Sequence, residues 1–219
     1  LNNLMKSIVV LVSGSGSNLQ AIIDNCNIKY INAEIKCVIS NNPDAYALQR
    51  ATSANIDNIS INHKDYLSRD AFDNELIRIL DDLNPDLIVL AGFMRILTKK
   101  LTNKFVGKII NIHPSLLPKY PGLNTHHEVI KNRDIIHGVS IHYVSSELDC
   151  GPLIAQGEIK TKTFDDINSL VDRIHKIEHL MYPEIIKYIC EDKISLNSNQ
   201  VKFKNIKTKD CIIYNKYEI

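Results

Sequence analysis

The sequence predicts an α/β fold, with a mostly parallel, twisted sheet carrying helices on both faces, and three stretches carry that expectation. Lys6–Val12 is a continuous apolar run that passes through Ser13-Gly-Ser-Gly-Ser-Asn18 into Leu19-Gln-Ala-Ile-Ile23, the pattern of a buried strand feeding a helix through a glycine turn. Leu87-Ile-Val-Leu-Ala-Gly92 is a second fully apolar strand. The third, Ile109-Ile-Asn-Ile-His-Pro-Ser-Leu-Leu-Pro118, has β-branched residues suited to a core, and prolines that cannot continue a ladder. Asn111 and His113 therefore sit at a strand end. In parallel sheets the carboxyl ends of strands line the ligand crevice, where an amide donor and an imidazole can stabilise charge and move protons. A lone histidine after a strand is more often structural, so this reading leans on the other stretches.

The first loop offers free backbone N–H groups and a helix dipole to an anion. Its Gly14-x-Gly16 spacing suggests a dinucleotide fingerprint, but Leu19 fills the third glycine position. The next strand, Ile35-Lys-Cys-Val-Ile-Ser40, runs into Asn41-Asn42-Pro43 without an acid to hold a ribose, so NAD is not expected. A single phosphate monoester suits the loop better, and a plain tight turn suits it equally well.

A helix is expected over Pro43–Ala54 and a short strand over Ile56–Ile61. Ser68 can cap a helix over Arg69–Leu83, whose Phe72, Leu76, Ile79, Leu80 and Leu83 form one apolar face. Arg69 in its first turn opposes the helix dipole, which favours a partner elsewhere. After Leu87–Gly92, Phe93-Met-Arg-Ile-Leu97 reads as a slot for a flat heterocycle or as an apolar loop beneath a helix. Thr98 caps a short helix to Phe105, another begins near His126, and Gly138–Tyr143 and Leu153–Ile159 are strands around a loop holding Glu147 and Asp149. Thr163 and Asp166 read as a capping-box start to a long helix that Pro183 ends or kinks. Within it, His175-Lys-Ile-Glu-His179 matches H-x-x-E-H, but with no third ligand in view a metal is not expected.

Ordinary proportions of apolar (44%) and charged (23%) residues in 219 fit one large globular domain. Its expected extent is residues 5–190, with residues 191–219 a polar hairpin and tail packed on it. A net charge of +1 gives no footprint for nucleic acid or an anionic membrane. Five scattered cysteines without C-x-x-C argue against disulfides and zinc, and no apolar run approaches the length of a membrane span. A cytoplasmic location follows, and Met5 reads as the natural start.

Gly14-Ser-Gly-Ser-Asn-Leu-Gln-Ala21, Leu90-Ala-Gly-Phe-Met-Arg-Ile-Leu97, Asn111-Ile-His-Pro-Ser-Leu-Leu-Pro-Lys-Tyr-Pro-Gly122 and Leu148-Asp-Cys-Gly-Pro152 together resemble the phosphoribosylglycinamide formyltransferase family. The resemblance runs from about Ile8 to Pro183 and implies a Rossmann-like domain. It also implies formyl transfer from 10-formyltetrahydrofolate, as cosubstrate, to the amine of glycinamide ribonucleotide in purine synthesis. Residue by residue it implies a catalytic trio of Asn111, His113 and Asp149. The ribonucleotide would be held by Gly16, Ser17 and Asn18 and by His175, Lys176, Ile177 and Glu178. The folate would be held by Arg69, Met94, Arg95, Ile96, Leu97 and Asn111 and by Ser145, Ser146, Glu147, Leu148 and Asp149. Asn124, where the pattern has histidine, and Cys150, where it has glycine, depart from the family, and His175 lies at a position that varies. Small-molecule partners are implied, and both monomer and homodimer stay open.

The Asn-x-His-Pro-Ser core with a downstream Asp also occurs in methionyl-tRNA formyltransferases and formyltetrahydrofolate hydrolases. The first would add a basic carboxyl-terminal domain and the second an amino-terminal regulatory domain, and neither is expected here. A non-catalytic phosphometabolite-binding protein would leave Asn111, His113 and Asp149 unused. Cys150, beside the anionic Asp149, is not expected to be a nucleophile.

Overall fold

In the computed structural model, which describes residues 5–162, 165–208 and 210–214, the apolar runs form the centre of an eight-stranded sheet. The strands are β1 (Lys6–Val12), β2 (Ala33–Ser40), β3 (Asn58–Ser60), β4 (Leu87–Leu90), β5 (Ile109–His113), β6 (Ile136–Tyr143), β7 (Leu153–Lys160) and β10 (Ile212–Tyr214), in the order β10-β7-β6-β5-β4-β1-β2-β3. Every neighbouring pair is parallel except the two made by β6, which runs against both β5 and β7. A separate hairpin pairs β8 (Ile194–Asn197) with β9 (Gln200–Phe203).

Alternation along the central strands divides the apolar side chains between two cores, because successive residues face opposite sides of a sheet. Ile8, Val10, Val12, Leu87, Val89, Ile110 and Ile112 face one side. There they meet α1 (Ser17–Asn27), α2 (Tyr46–Ser53), α5 (Thr125–Asn132) and α6 (Ile167–Cys190). Val9, Leu11, Ile88, Leu90 and Ile109 face the other side, covered by α3 (Arg69–Leu83) and α4 (Lys99–Lys104). The Ser68 side chain caps α3 by accepting from the Ala71 N–H, and Thr98 caps α4 by accepting from the Leu101 N–H.

Three expectations are revised. α2 begins at Tyr46, not Pro43, because the Asn42 side chain and carbonyl accept from the Asp44 and Ala45 N–H groups and make a turn first. α6 continues through Pro183 to Cys190, since Met181, Tyr182, Ile185 and Ile186 on either side of it are fully buried and outweigh the one lost hydrogen bond. Its capping box joins Asp166 to Ser169, while Thr163 lies outside the described residues. Beyond the hairpin, Ile212–Tyr214 adds to the main sheet as a parallel partner of β7.

α6 approaches β6 and β7 closely where Gly157 offers no side chain: a Cβ built there would collide with the Met181 sulfur and with Ile177. Gly157→Ala is expected to lower stability by about 1–3 kcal/mol through overpacking, read as a lower midpoint in urea with an unchanged slope.

Candidate active site

The strand β5 delivers the centre of the site. Ile110 and Ile112 are buried among the α1/α6 core, so Asn111 and His113 emerge on the opposite face, past the edge of the α3/α4 layer. Antiparallel pairing with β6 sets His142 opposite Asn111 and Ser140 opposite His113. His113 is 5% exposed and His142 2%. The proline loop after β5 is fixed by Ser140, whose hydroxyl donates to the Ser115 carbonyl and accepts from the Leu117 N–H at 2.6 and 2.9 Å.

Asp149 joins these side chains from the loop between β6 and β7. Its backbone is left-handed (φ 50°), a conformation aspartate tolerates better than most residues. One carboxylate oxygen accepts from the Gly122 N–H at 2.8 Å and lies 3.5 Å from His113 Nδ1; the other lies 3.7 Å from His142 Nε2. His113 Nε2 donates to the Tyr120 carbonyl at 2.8 Å, so the nitrogen turned towards Asp149 is Nδ1. His142 Nδ1 donates to the Tyr143 carbonyl, which leaves Nε2 as acceptor for the Asn111 amide at 3.3 Å. Burial pushes the Asp149 carboxyl up, but the nearby His142 ring, the hydrogen bond from the Gly122 N–H and the neighbouring His113 outweigh it and hold the group below the usual carboxylate range.

Two cavities flank this centre. One is bounded by the first loop and α6 and brings together Gly16, Ser17, Asn18, His175 and Glu178, joined by Met94 and His126. Gly16 (φ 74°) caps α1 without a side chain, leaving first-turn N–H groups for a ligand. Glu178 is buried and accepts one bond, from the Asn18 amide at 2.8 Å, and burial raises its carboxyl to about 7. His126 contacts the buried His137 at 3.1 Å, and desolvation lowers both imidazoles to about 4. The second cavity gathers Arg95, Ile96, Leu97 and Asn111 with Ser145, Ser146, Glu147, Leu148 and Asp149, against Phe93 and His142.

Four of the sequence-derived positions stand apart. Met94 lines the first-loop cavity rather than the second, because its N–H donates to the Ser13 hydroxyl at 2.7 Å and fixes it over that loop. Arg69 is exposed at the start of α3 and lines neither cavity; Lys176 is exposed on α6, and Ile177 is fully buried in the core, on the same stripe as Ile174 and Met181. His142, Gly122 and His126 belong to the site and were not singled out. For His142 a signal existed, since strand alternation sets it with Ser140 on the face away from Val139 and Ile141. The H-x-x-E-H residues are otherwise engaged: Glu178 with Asn18, and His175 stacked on His179 at 6.0 Å. Among the described residues no group of three His, Cys, Asp or Glu is placed to hold a metal ion.

Glu178 gives this site a pH signature. A carboxyl whose folded value is raised from 4.5 to about 7 contributes stability below the unfolded value, and that contribution is lost as pH rises through about 7. The unfolding free energy of the protein is therefore expected to fall from about pH 5 to pH 8 relative to Glu178→Gln, followed by denaturant titration at each pH. Parallel curves would exclude the carboxyl as the cause.

The Formyl transferase sequence profile matches residues 6–186. Phosphoribosylglycinamide formyltransferase of Escherichia coli (strain K12) is 44% identical over 193 residues, covering 88% of this chain and 91% of its own. A segment of the human trifunctional purine biosynthetic protein adenosine-3 is 36% identical over 192 residues, 88% of this chain but 19% of that protein. The structure of phosphoribosylglycinamide formyltransferase from Coxiella burnetii superposes with a TM-score of 0.91 at 43% identity, over 97% of this chain and all of that one. With the profile spanning β1 to α6 and the solved enzyme superposing along nearly the whole chain, this protein belongs to the formyl transferase family.

Proposed function

We infer that the protein transfers the formyl group of 10-formyltetrahydrofolate to the amine of glycinamide ribonucleotide, a step of purine biosynthesis. One observation carries the reading. Asn111 and Asp149 line the cavity with apolar walls, while Ile112 and Pro114, on either side of His113, line the cavity built on a phosphate-type loop, so two substrates can meet near one amide, one imidazole and one carboxylate. Leu90, Phe93, Ile96, Leu97 and Val144 suit a flat heterocycle, and Arg95 supplies a cation beside them. The first loop suits the phosphate, and the buried Asn18 Oδ1, without a partner among the described residues, suits a hydroxyl donor of the attached sugar.

The cosubstrate supplies an electrophilic formyl carbon. The acceptor amine attacks it, the C–N bond forms, and the formyl oxygen becomes negative. Asn111 donates one amide hydrogen to His142, which orients the group and leaves the second hydrogen for the oxyanion. His113, with Asp149 at 3.5 Å, stabilises that charge as an imidazolium. As the intermediate collapses, the bond from the formyl carbon to the folate nitrogen breaks. The proton lost by the amine passes to that nitrogen with Asp149 as acceptor, directly or through water. A metal has no role in these steps. Among the described residues no helix is long and apolar enough to cross a membrane, and we take the protein to act in the cytoplasm on small molecules.

Formyl transfer is measured spectroscopically with glycinamide ribonucleotide, beside a control with water as acceptor. His113→Ala and Asp149→Asn are each expected to lower kcat by about 10²–10⁴-fold, with ribonucleotide binding little changed. Near-native turnover in either variant would remove the trio from the mechanism. Removing the acceptor's phosphate is expected to weaken binding by roughly 1.5–3 kcal/mol for each charge-assisted bond lost. Equal affinity for the dephosphorylated acceptor would instead leave the first loop without a ligand.

A further inference from the structure

Three successive carbonyls of the first loop are held from outside the cavity. The Gly14 carbonyl accepts from the Ala47 N–H at 3.1 Å, the Ser15 carbonyl from Arg50 Nε at 2.8 Å, and the Gly16 carbonyl from the Gln20 N–H at 2.9 Å. In a planar trans peptide the C=O and the following N–H point in opposite directions. Pinning these three oxygens behind the loop therefore turns the N–H groups of Ser15, Gly16 and Ser17 the other way, and all three residues line the cavity. The result is a concave set of donors of the kind that holds a phosphate.

Arg50 is the one side chain among those three donors. Its Nη1 also donates to Gln20 Oε1 at 3.0 Å, and its guanidinium lies 4.9 Å over the Tyr46 ring, so the fork is fixed between α1 and α2. The loop sits tightly against α2: a Cβ on Gly16 would fall 2.7 Å from the Ala47 Cβ, and φ there is positive. Among the described residues lining the cavity none is Lys or Arg, and one is the acidic Glu178. A phosphate dianion entering it would meet backbone dipoles and imidazoles, with a fixed full positive charge standing behind the loop on Arg50.

We propose that Arg50 is a positioning residue of the anion cradle: its guanidinium locks the Ser15 carbonyl outward and sets a cation behind the loop, preparing the site for a phosphomonoester. This rests on the functional reading only for the identity of the full substrate. The probe is therefore ribose 5-phosphate, with binding measured by calorimetry at several salt concentrations on the intact protein and on Arg50→Gln and Arg50→Lys.

Arg50→Gln is expected to weaken ribose 5-phosphate binding by about tenfold or more, with a shallower salt dependence and unchanged affinity for the folate cosubstrate. Arg50→Lys keeps the charge without the rigid fork, so it should retain the native salt dependence at an intermediate affinity. If Arg50→Gln does not fold, the lysine variant carries the test alone. Native ribose 5-phosphate affinity in Arg50→Gln would overturn the proposal. So would an equal loss of both ligands with a lowered Tm and native salt dependence, or no binding of the probe by the native protein. A native protein that binds the probe but transfers no formyl group would instead overturn the functional reading and leave Arg50 in its role.

Discussion

The site depends on the parity of β5. Ile110 and Ile112 are drawn into the α1/α6 core, and because side chains alternate along a strand, Ile109, Asn111 and His113 must take the other face. Ile109 is covered by the α3/α4 layer, and the two polar residues lie beyond that cover. A slip of one residue would bury the amide and the imidazole among aliphatic side chains and expose two isoleucines to the crevice, so hydrophobic burial itself fixes the register that brings Asn111 and His113 to the crevice. The partner strand completes the constraint, since the pairing that puts His142 opposite Asn111 also puts Ser140 where it can hold the proline loop.

Two carboxylates near this strand are driven in opposite directions by their surroundings. Asp149 receives the Gly122 N–H and faces two imidazoles, so it stays anionic despite burial. Glu178 is more deeply buried with one amide donor from Asn18, and it takes up a proton near neutrality. The site thus keeps a negative charge beside His113, while the carboxyl in the first-loop cavity can become neutral. Separation of the two environments is what lets similar groups take different work.

Where local signals were complete, the sequence was legible. α3 runs over Arg69–Leu83 behind its Ser68 cap as its apolar spacing and the Asn84-Pro85 stop require. That Asn111, His113 and Asp149 come close together was legible as well, since a strand end and a resemblance pointed to the same residues. What failed were properties settled by tertiary contact. Pro183 reads as an end or a kink, and the buried stripe on both sides of it removes the first alternative by carrying the helix on to Cys190. The three residues of β10 have no strength of their own and exist as a strand through the edge that β7 offers. Met94 and Ile177 sit inside motif segments, yet a motif names a stretch of chain, whereas the Ser13 hydroxyl and the helical period decide which way each side chain goes.

The reversed direction of β6 bears on how one loop supplies both the wall of the second cavity and Asp149. Tyr143, at its end, pairs with Ile110 near the start of β5, so the chain leaves the sheet at the far end from His113. β7 begins at that same end, beside His142, and the Tyr143 N–H donates to the Pro152 carbonyl at 3.0 Å to close the loop between the two strands. On the way, Ser145–Leu148 wall the second cavity and Asp149 reaches His113 and His142. The antiparallel course couples the wall to the carboxylate: a ligand that moves Ser145–Leu148 also moves Asp149, unless the Gly122 N–H holds it. That one backbone bond connects the loop after β5 to the loop after β6, and through it the position of the carboxylate depends on both.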